Sequence, residues 1–287
     1  MPRGVDHLVL AVRDLDAGGR FYEQLGFRVG GRNRHPWGTE NRIVQLQGSF
    51  LELVTLGENA EIPPHGDGRF SFGAFVRDYL ERREGFAMLV LDSADAKGDA
   101  QAFTGAGIGG FEPFFFERRG TRPDGTETHV AFTLAFARDP AAPEIGYFVC
   151  QQHYPENFWN PEFQIHPNGA SVLSAVVVTS PDPDSHSRFL KAFSGADSSE
   201  PVDPDRSFVL SRGRIDVMTA DDAAEAYASV EADPHKPALA AFAVRVADVE
   251  RQARQLTAAG VPFQRIGSRV VVPASAAFGV AIAFEPD

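Results

Sequence analysis

His7 and Glu52 are the two residues whose type and setting best fit chemistry. His7 stands in Val5-Asp-His-Leu-Val-Leu-Ala11 and Glu52 in Phe50-Leu-Glu-Leu-Val54, two runs with the alternation of half-buried strands. Leu8, Leu10 and Val12 share one face of the first, leaving His7, Val9 and Ala11 on the other. Leu51 and Leu53 likewise oppose Phe50, Glu52 and Val54. An imidazole nitrogen and a carboxylate oxygen on these faces, once their strands lie side by side, suit Zn²⁺, Fe²⁺, Mn²⁺ or Ni²⁺. Glu52 would also be able to move a proton there. A structural His–Glu hydrogen bond accounts for the same pair, and two ligands alone rarely hold a metal. A third ligand is expected from His153, which shares a strand face with Gln151, or from His35 in the loop Arg32–Gly38. His35, Phe50, Met88, Gln151 and Tyr154 are the residues expected to face a substrate.

These residues need a scaffold, and the chain repeats one. Gly4-Val-Asp-His-Leu-Val-Leu10 overlays Gly85-Phe-Ala-Met-Leu-Val-Leu91, with weaker copies at Ser171–Val177 and Ala238–Val244. Each run is followed by an acid placed to cap a helix (Asp14, Asp95, Asp182, Asp248) and later by a glycine placed to end it (Gly26, Gly107, Gly195, Gly260). Three more strands are expected after each helix. They are 27–31, 41–46 and 49–56; then 110–117, 126–137 and 144–152; then 200–202, 207–211 and 215–219; then 261–265, 269–272 and 280–284. The unit is βαβββ, and the chain holds four.

Four such units opening on Asp6-His7-Leu8-Val9 resemble the vicinal oxygen chelate superfamily. His35, Gly38-Thr39, Asn41 and Phe50-Leu51-Glu52-Leu53 resemble its glyoxalase-like branch more narrowly. The resemblance implies an α+β fold of two cupped mixed β-sheets, each made by two βαβββ modules, with helices on the outer faces. It implies a divalent metal on the concave face, held from the first and last strands of each module. Residues 1–168 would form an N-terminal pair of modules with the site, and 169–287 a C-terminal pair.

The departures matter as much. Met88 takes the place of His7 in the second module, and the place of Glu52 falls near Val149, or Gln151 if the register slips. Methionine is a poor ligand for hard ions. In the second half the corresponding positions are Ser174, Ala241 and Ala283, so that half reads as a degenerate copy, one that closes the first cavity or acts as a built-in dimer partner. The stretch 151–169 carries Tyr154, Phe158, Trp159 and Phe163 beside His153 and His166, too aromatic for a plain linker. It is expected to pack as a strap, with His153 and Tyr154 at the cavity rim.

Composition narrows the function classes. A chain of 287 residues, 43% hydrophobic and 23% charged, has room for about two globular domains. Its net charge of −12 disfavours nucleic acid, although Arg32, Arg34 and Arg42, and Arg118, Arg119 and Arg122, form local basic groups able to sit beside a site for a small anion. No apolar run approaches the ~20 residues of a membrane span. The N-terminus has no apolar leader, and the single Cys150 permits no intrachain disulfide, so a cytoplasmic monomer or homodimer is expected. Phosphate-binding loops and serine-nucleophile elbows are missing. The leading reading is a metal-assisted lyase or isomerase acting on a small oxygenated molecule. The alternatives are a protein that sequesters a small molecule, as bleomycin-resistance relatives do, and an empty scaffold.

Overall fold

The computed structural model describes residues 1–121, 127–197, 206–228, 230 and 233–287. The first module is β1 (Val5–Ala11), α1 (Leu15–Gln24), β2 (Asn33–Arg34), β3 (Thr39–Gln45) and β4 (Phe50–Leu56). After α2 (Phe72–Arg82) comes the second: β5 (Gly85–Asp92), α3 (Ala96–Gly105), β6 (Phe114–Thr121), β7 (Glu127–Ala137) and β8 (Gly146–Gln152). A short α4 (Pro155–Phe158) leads to β9 (Ala170–Thr179), α5 (Ser187–Ser194), β10 (Arg206–Val209), β11 (Arg214–Met218) and α6 (Ala220–Ala226). The last module is β12 (Ala238–Val246), α7 (Val249–Ala259), β13 (Gln264–Ile266), β14 (Arg269–Val272) and β15 (Ala281–Pro286).

Two curled mixed sheets result, with strand orders β2-β3-β4-β1-β5-β8-β7-β6 and β10-β11-β9-β12-β15-β14-β13. In each module the first strand pairs parallel with the last, and modules join through antiparallel β1–β5 and β9–β12. Helices α1, α3, α5 and α7 lie on the outer face of their own sheet, as the resemblance implies, whereas α2 and α6 pack on the concave faces. The two outer faces are turned toward each other, so one apolar core runs through both, from Leu8, Leu51 and Phe103 to Phe193, Phe242 and Phe284. Tyr147 packs on Phe189 and Phe27 on Phe284 across this seam. The C-terminal half therefore backs the first sheet and does not close its hollow side.

Asp14, Asp95 and Asp248 cap their helices through side-chain bonds to backbone N–H groups. Asp182 does not; it precedes a 3-10 turn, Pro183–His186, and α5 starts only at Ser187. Gly195 and Gly260 end α5 and α7 in the left-handed conformation that costs glycine little. The strand expected at 27–31 is replaced by the two-residue β2 further on, and that at 261–265 begins at Gln264. The candidate strand at 200–202 lies outside the described residues. Helix α2 was not expected at all, although Phe72, Val76, Tyr79 and Leu80 have helical spacing. It lies on the hollow side of the first sheet, and Met88 is buried in the same cluster. No described helix is long and apolar enough to cross a membrane.

The strap packs, and His166 is its buckle. The Arg28 N–H donates to Nδ1 at 2.9 Å, which puts the ring proton on Nε2, where it donates to the Gln45 carbonyl at 2.7 Å. Gln45 in turn donates to the Phe158 carbonyl and accepts from the Asn160 N–H. Burial holds the His166 pKa below the usual histidine range. His166→Ala strands the buried Gln45 carbonyl and frees the Arg28 N–H, at an expected cost of about 1–3 kcal/mol. In the wild type the histidine's contribution is complete above about pH 6.5 and is lost as pH falls through the depressed folded value. Urea unfolding near pH 7.5 and pH 5 should show the gap between the two proteins narrowing in acid.

Candidate functional site

The site begins with an irregularity in β1. Val5 pairs with Leu91 and His7 with Val90, so Asp6 is an extra residue in the ladder. The bulge lets two consecutive side chains face the hollow side. His7 Nδ1–H donates to Asp6 Oδ1 at 2.6 Å, and Gln152 Nε2 donates to Asp6 Oδ2 at 2.8 Å. This fixes the His7 ring and leaves Nε2 toward the hollow, 3.8 Å from Glu52 Oε2. The ring also stacks on Phe50, its neighbour on β4, at a centroid distance of 4.2 Å.

Glu52 is held from its other side. Asn41 Nδ2 donates to Glu52 Oε1 at 2.5 Å and approaches His35 Nε2 at 3.2 Å. With Nε2 accepting, His35 Nδ1–H donates to Thr39 Oγ1 at 2.7 Å. Burial lowers the His35 pKa, opposed by the charge of Glu52, which agrees with a neutral ring. Gly38, at φ +89°, makes the turn that folds His35 over Thr39. Thr39, His35, Asn41 and Glu52 thus form one polar chain that faces Gln152, Asp6 and His7 across the gap between Glu52 and His7.

Around this floor the hollow is aromatic. It encloses about 380 Å³ and is walled by Trp37, Phe50, Phe72, Phe116, Phe132, Phe148 and Phe158. β2 and β6 are the two edges of the sheet, and its curl brings them together: Trp37, beyond β2, meets the edge of Phe116 on β6 at 4.7 Å. Cys150 also faces in, its thiol pushed up by burial and by the nearby Asp6 and Glu52 carboxylates.

Of the expected residues, His7, His35, Phe50 and Glu52 line this hollow together. His153, Gln151, Tyr154 and Met88 do not. His153 and Tyr154 are exposed; His153 Nε2 meets Thr133 Oγ1, and Tyr154 lies against His129. Gln151 turns to the helix side, where its amide donates to the Ala94 carbonyl and accepts from the N–H of Ala96 at the start of α3. The reason is register: Val9 sits beside Glu52, Val90 beside Phe148, so Phe148 takes the place of Glu52 and Phe148, Cys150 and Gln152 face inward. Among the described residues no three His, Cys, Asp or Glu side chains converge as a metal set. His7 and Glu52 offer two donors, and Met88 and Phe148 supply none from the second module. The residues present do not complete the ligand set that the resemblance implies.

Sequence reasoning missed Asp6, because strict alternation hides a bulge, and the inward face of β6. The alternation in Phe114-Phe-Phe-Glu-Arg118 was the available signal for Phe116 and Arg118. The second sheet has no such hollow among the described residues. Its concave face carries Ala175, Ala241, Ala243, Ala281 and Ala283, packed with Ala223 of α6 and Tyr227.

The glyoxalase-like domain model matches residues 5–193. The chain belongs to the glyoxalase-like domain family. No curated protein matches this glyoxalase-like chain. Among solved structures, a hypothetical protein from Staphylococcus aureus matches at TM-score 0.70 and 14% identity, over 100% of both chains. A Mn(II)-bound glyoxalase from Novosphingobium aromaticivorans matches at 0.56 and 13% identity, over 99% of this chain and 82% of that one. A mutant 4-hydroxymandelate synthase from Streptomyces coelicolor matches at 0.57 and 16% identity, over 93% and 78%. At such identities these likenesses show the vicinal oxygen chelate fold.

The Asp6 bridge has a direct test. Asp6→Leu strands the His7 Nδ1–H and the Gln152 amide, at an expected cost of about 2–4 kcal/mol. Asp6→Asn keeps an acceptor for His7 and lets Gln152, whose Oε1 is unpartnered, turn over. It should cost about 1 kcal/mol. Equal losses in denaturant unfolding would contradict the bridge.

Proposed function

We propose that the hollow of residues 1–168 carries out proton transfer of the lyase or isomerase type on a small oxygenated molecule with a flat apolar body. The observation that carries this reading is the imidazole of His7, oriented by Asp6 and set opposite Glu52 at the floor of an aromatic hollow. His7 Nε2 has a lone pair free to take a proton from carbon beside a carbonyl. Glu52, in the same hollow, would take or return the second proton of an isomerisation. The aromatic walls exclude water and orient a planar substrate.

A divalent ion would polarise the substrate carbonyl if bound, as the Mn(II)-bound neighbour invites one to suppose. This chain offers it His7 and Glu52, and no step here is routed through it. The aromatic lining also favours a second reading, in which the protein sequesters a small molecule and His7 and Glu52 anchor its polar end.

Solvent-deuterium exchange separates the two. A panel of phenyl-substituted ketones incubated with enzyme in D₂O should show protein-dependent exchange of the α-proton, followed by NMR. Exchange should fall by about 100-fold or more in His7→Ala and Glu52→Gln. Glu52→Gln keeps an acceptor for Asn41, so its stability should drop by about 1 kcal/mol or less. Saturable binding without exchange would favour sequestration. Protein incubated with Mn²⁺, Zn²⁺, Fe²⁺ or Ni²⁺ and then desalted is expected to retain well under one equivalent. A full equivalent lost in both variants would restore the metal reading.

A further inference from the structure

The mouth of the hollow differs chemically from its floor. It opens into a second, polar depression of about 510 Å³ that shares Arg34, Arg118, Val130 and Phe158 with it and adds Arg119. Arg32 is paired with Glu40 and Asp16, and Arg34 with Glu40. Glu117, beside them, is engaged by His129. Among the described residues no carboxylate pairs with Arg118 or Arg119. In a chain of net charge −12, two adjacent cations without a described carboxylate partner at a cavity mouth are conspicuous. Arg118 is exposed at this mouth, and partial desolvation lowers its pKa.

We propose that the ligand of this hollow is an arylalkyl carboxylate that enters with its uncharged end first, that end carrying the neutral oxygen that His7 and Glu52 meet, and with its carboxylate bound at the mouth by Arg118. This deepens the reading of the hollow as a small-molecule site and rests on it. Orientation follows from charge. Glu52 lines the floor and Asp6 lies behind His7, both buried, and their carboxylates repel an anion and favour a neutral oxygenated or apolar end. The walls take the ring face to face or edge on. The guanidinium of Arg118, on the same face of β6 as the wall residue Phe116, matches a carboxylate in fork geometry.

The test uses phenylacetate, 3-phenylpropanoate and 4-phenylbutanoate, each beside its carboxamide. Binding is read by the fluorescence of the two tryptophans, since Trp37 walls the hollow and Trp159 packs on the wall ring Phe50. At least one acid should bind about tenfold or more tighter than its amide. Arg118→Gln should remove that preference and leave the amide unchanged. Arg118→Lys, which keeps the charge and loses the fork, should recover part of it. Rising salt should weaken the acid alone. Equal binding of acid and amide, or an acid affinity indifferent to Arg118→Gln, would overturn the proposal while leaving the hollow a small-molecule site. Failure of every compound to bind wild-type protein would overturn the small-molecule reading and this proposal together.

Discussion

Everything at the floor of the hollow depends on how β1 is held. It lies between parallel β4 and antiparallel β5, and its ladder to β5 slips by one residue at Asp6. Without that slip Asp6 would point into the apolar core with Leu8, where an ionised carboxylate has no partner and a cost of several kcal/mol. With it, Asp6 reaches the adjacent histidine and a glutamine from β8, and both its oxygens are satisfied. His7 faces inward by alternation, and the slip brings it the carboxylate that fixes its ring. One backbone irregularity therefore resolves a burial problem and orients the imidazole.

The polar chain from Thr39 to Gln152 is costly in an interior this apolar, and it is tolerated because nearly every member has a partner. Asn41 is the joint: its amide meets both Glu52 and His35, which sets the tautomer of one and the position of the other. The space left between His7 and Glu52 is the one place along the chain where neither group has satisfied its neighbour. A ligand oxygen or a moving proton would meet both groups there.

The two halves show how one fold keeps or loses a hollow. In the first sheet the concave positions carry long side chains, and α2 covers only part of that face, leaving aromatic walls around a void. In the second, alanines let α6 and Tyr227 settle directly on the strands, and the space is filled. The filled sheet still matters, because its outer face completes the core behind the first. His186 of the second half joins Asp139 of the first at 2.6 Å in that buried seam.

Legible in the order of residues were the repeated strand–helix units and the inward face of His7, Phe50 and Glu52; the cupped α+β architecture came from the resemblance those residues carry. Strand alternation and helix caps are local, periodic properties that a chain carries in its order of residues. It also carried the Gly38-Thr39-x-Asn41 turn, though not the fact that Asn41 would bridge Glu52 and His35. The tertiary structure alone decided what register and curvature decide. A shift of one residue between β5 and β8 turned Gln151 to the helices and brought Phe148 in where a ligand was expected. The bulge recruited Asp6 against the period. The curl of the sheet brought Arg34 and Arg118, which sit on its opposite edges, to one mouth. Such contacts join residues far apart in the chain, and no pattern within a single strand encodes which distant strand will close over it.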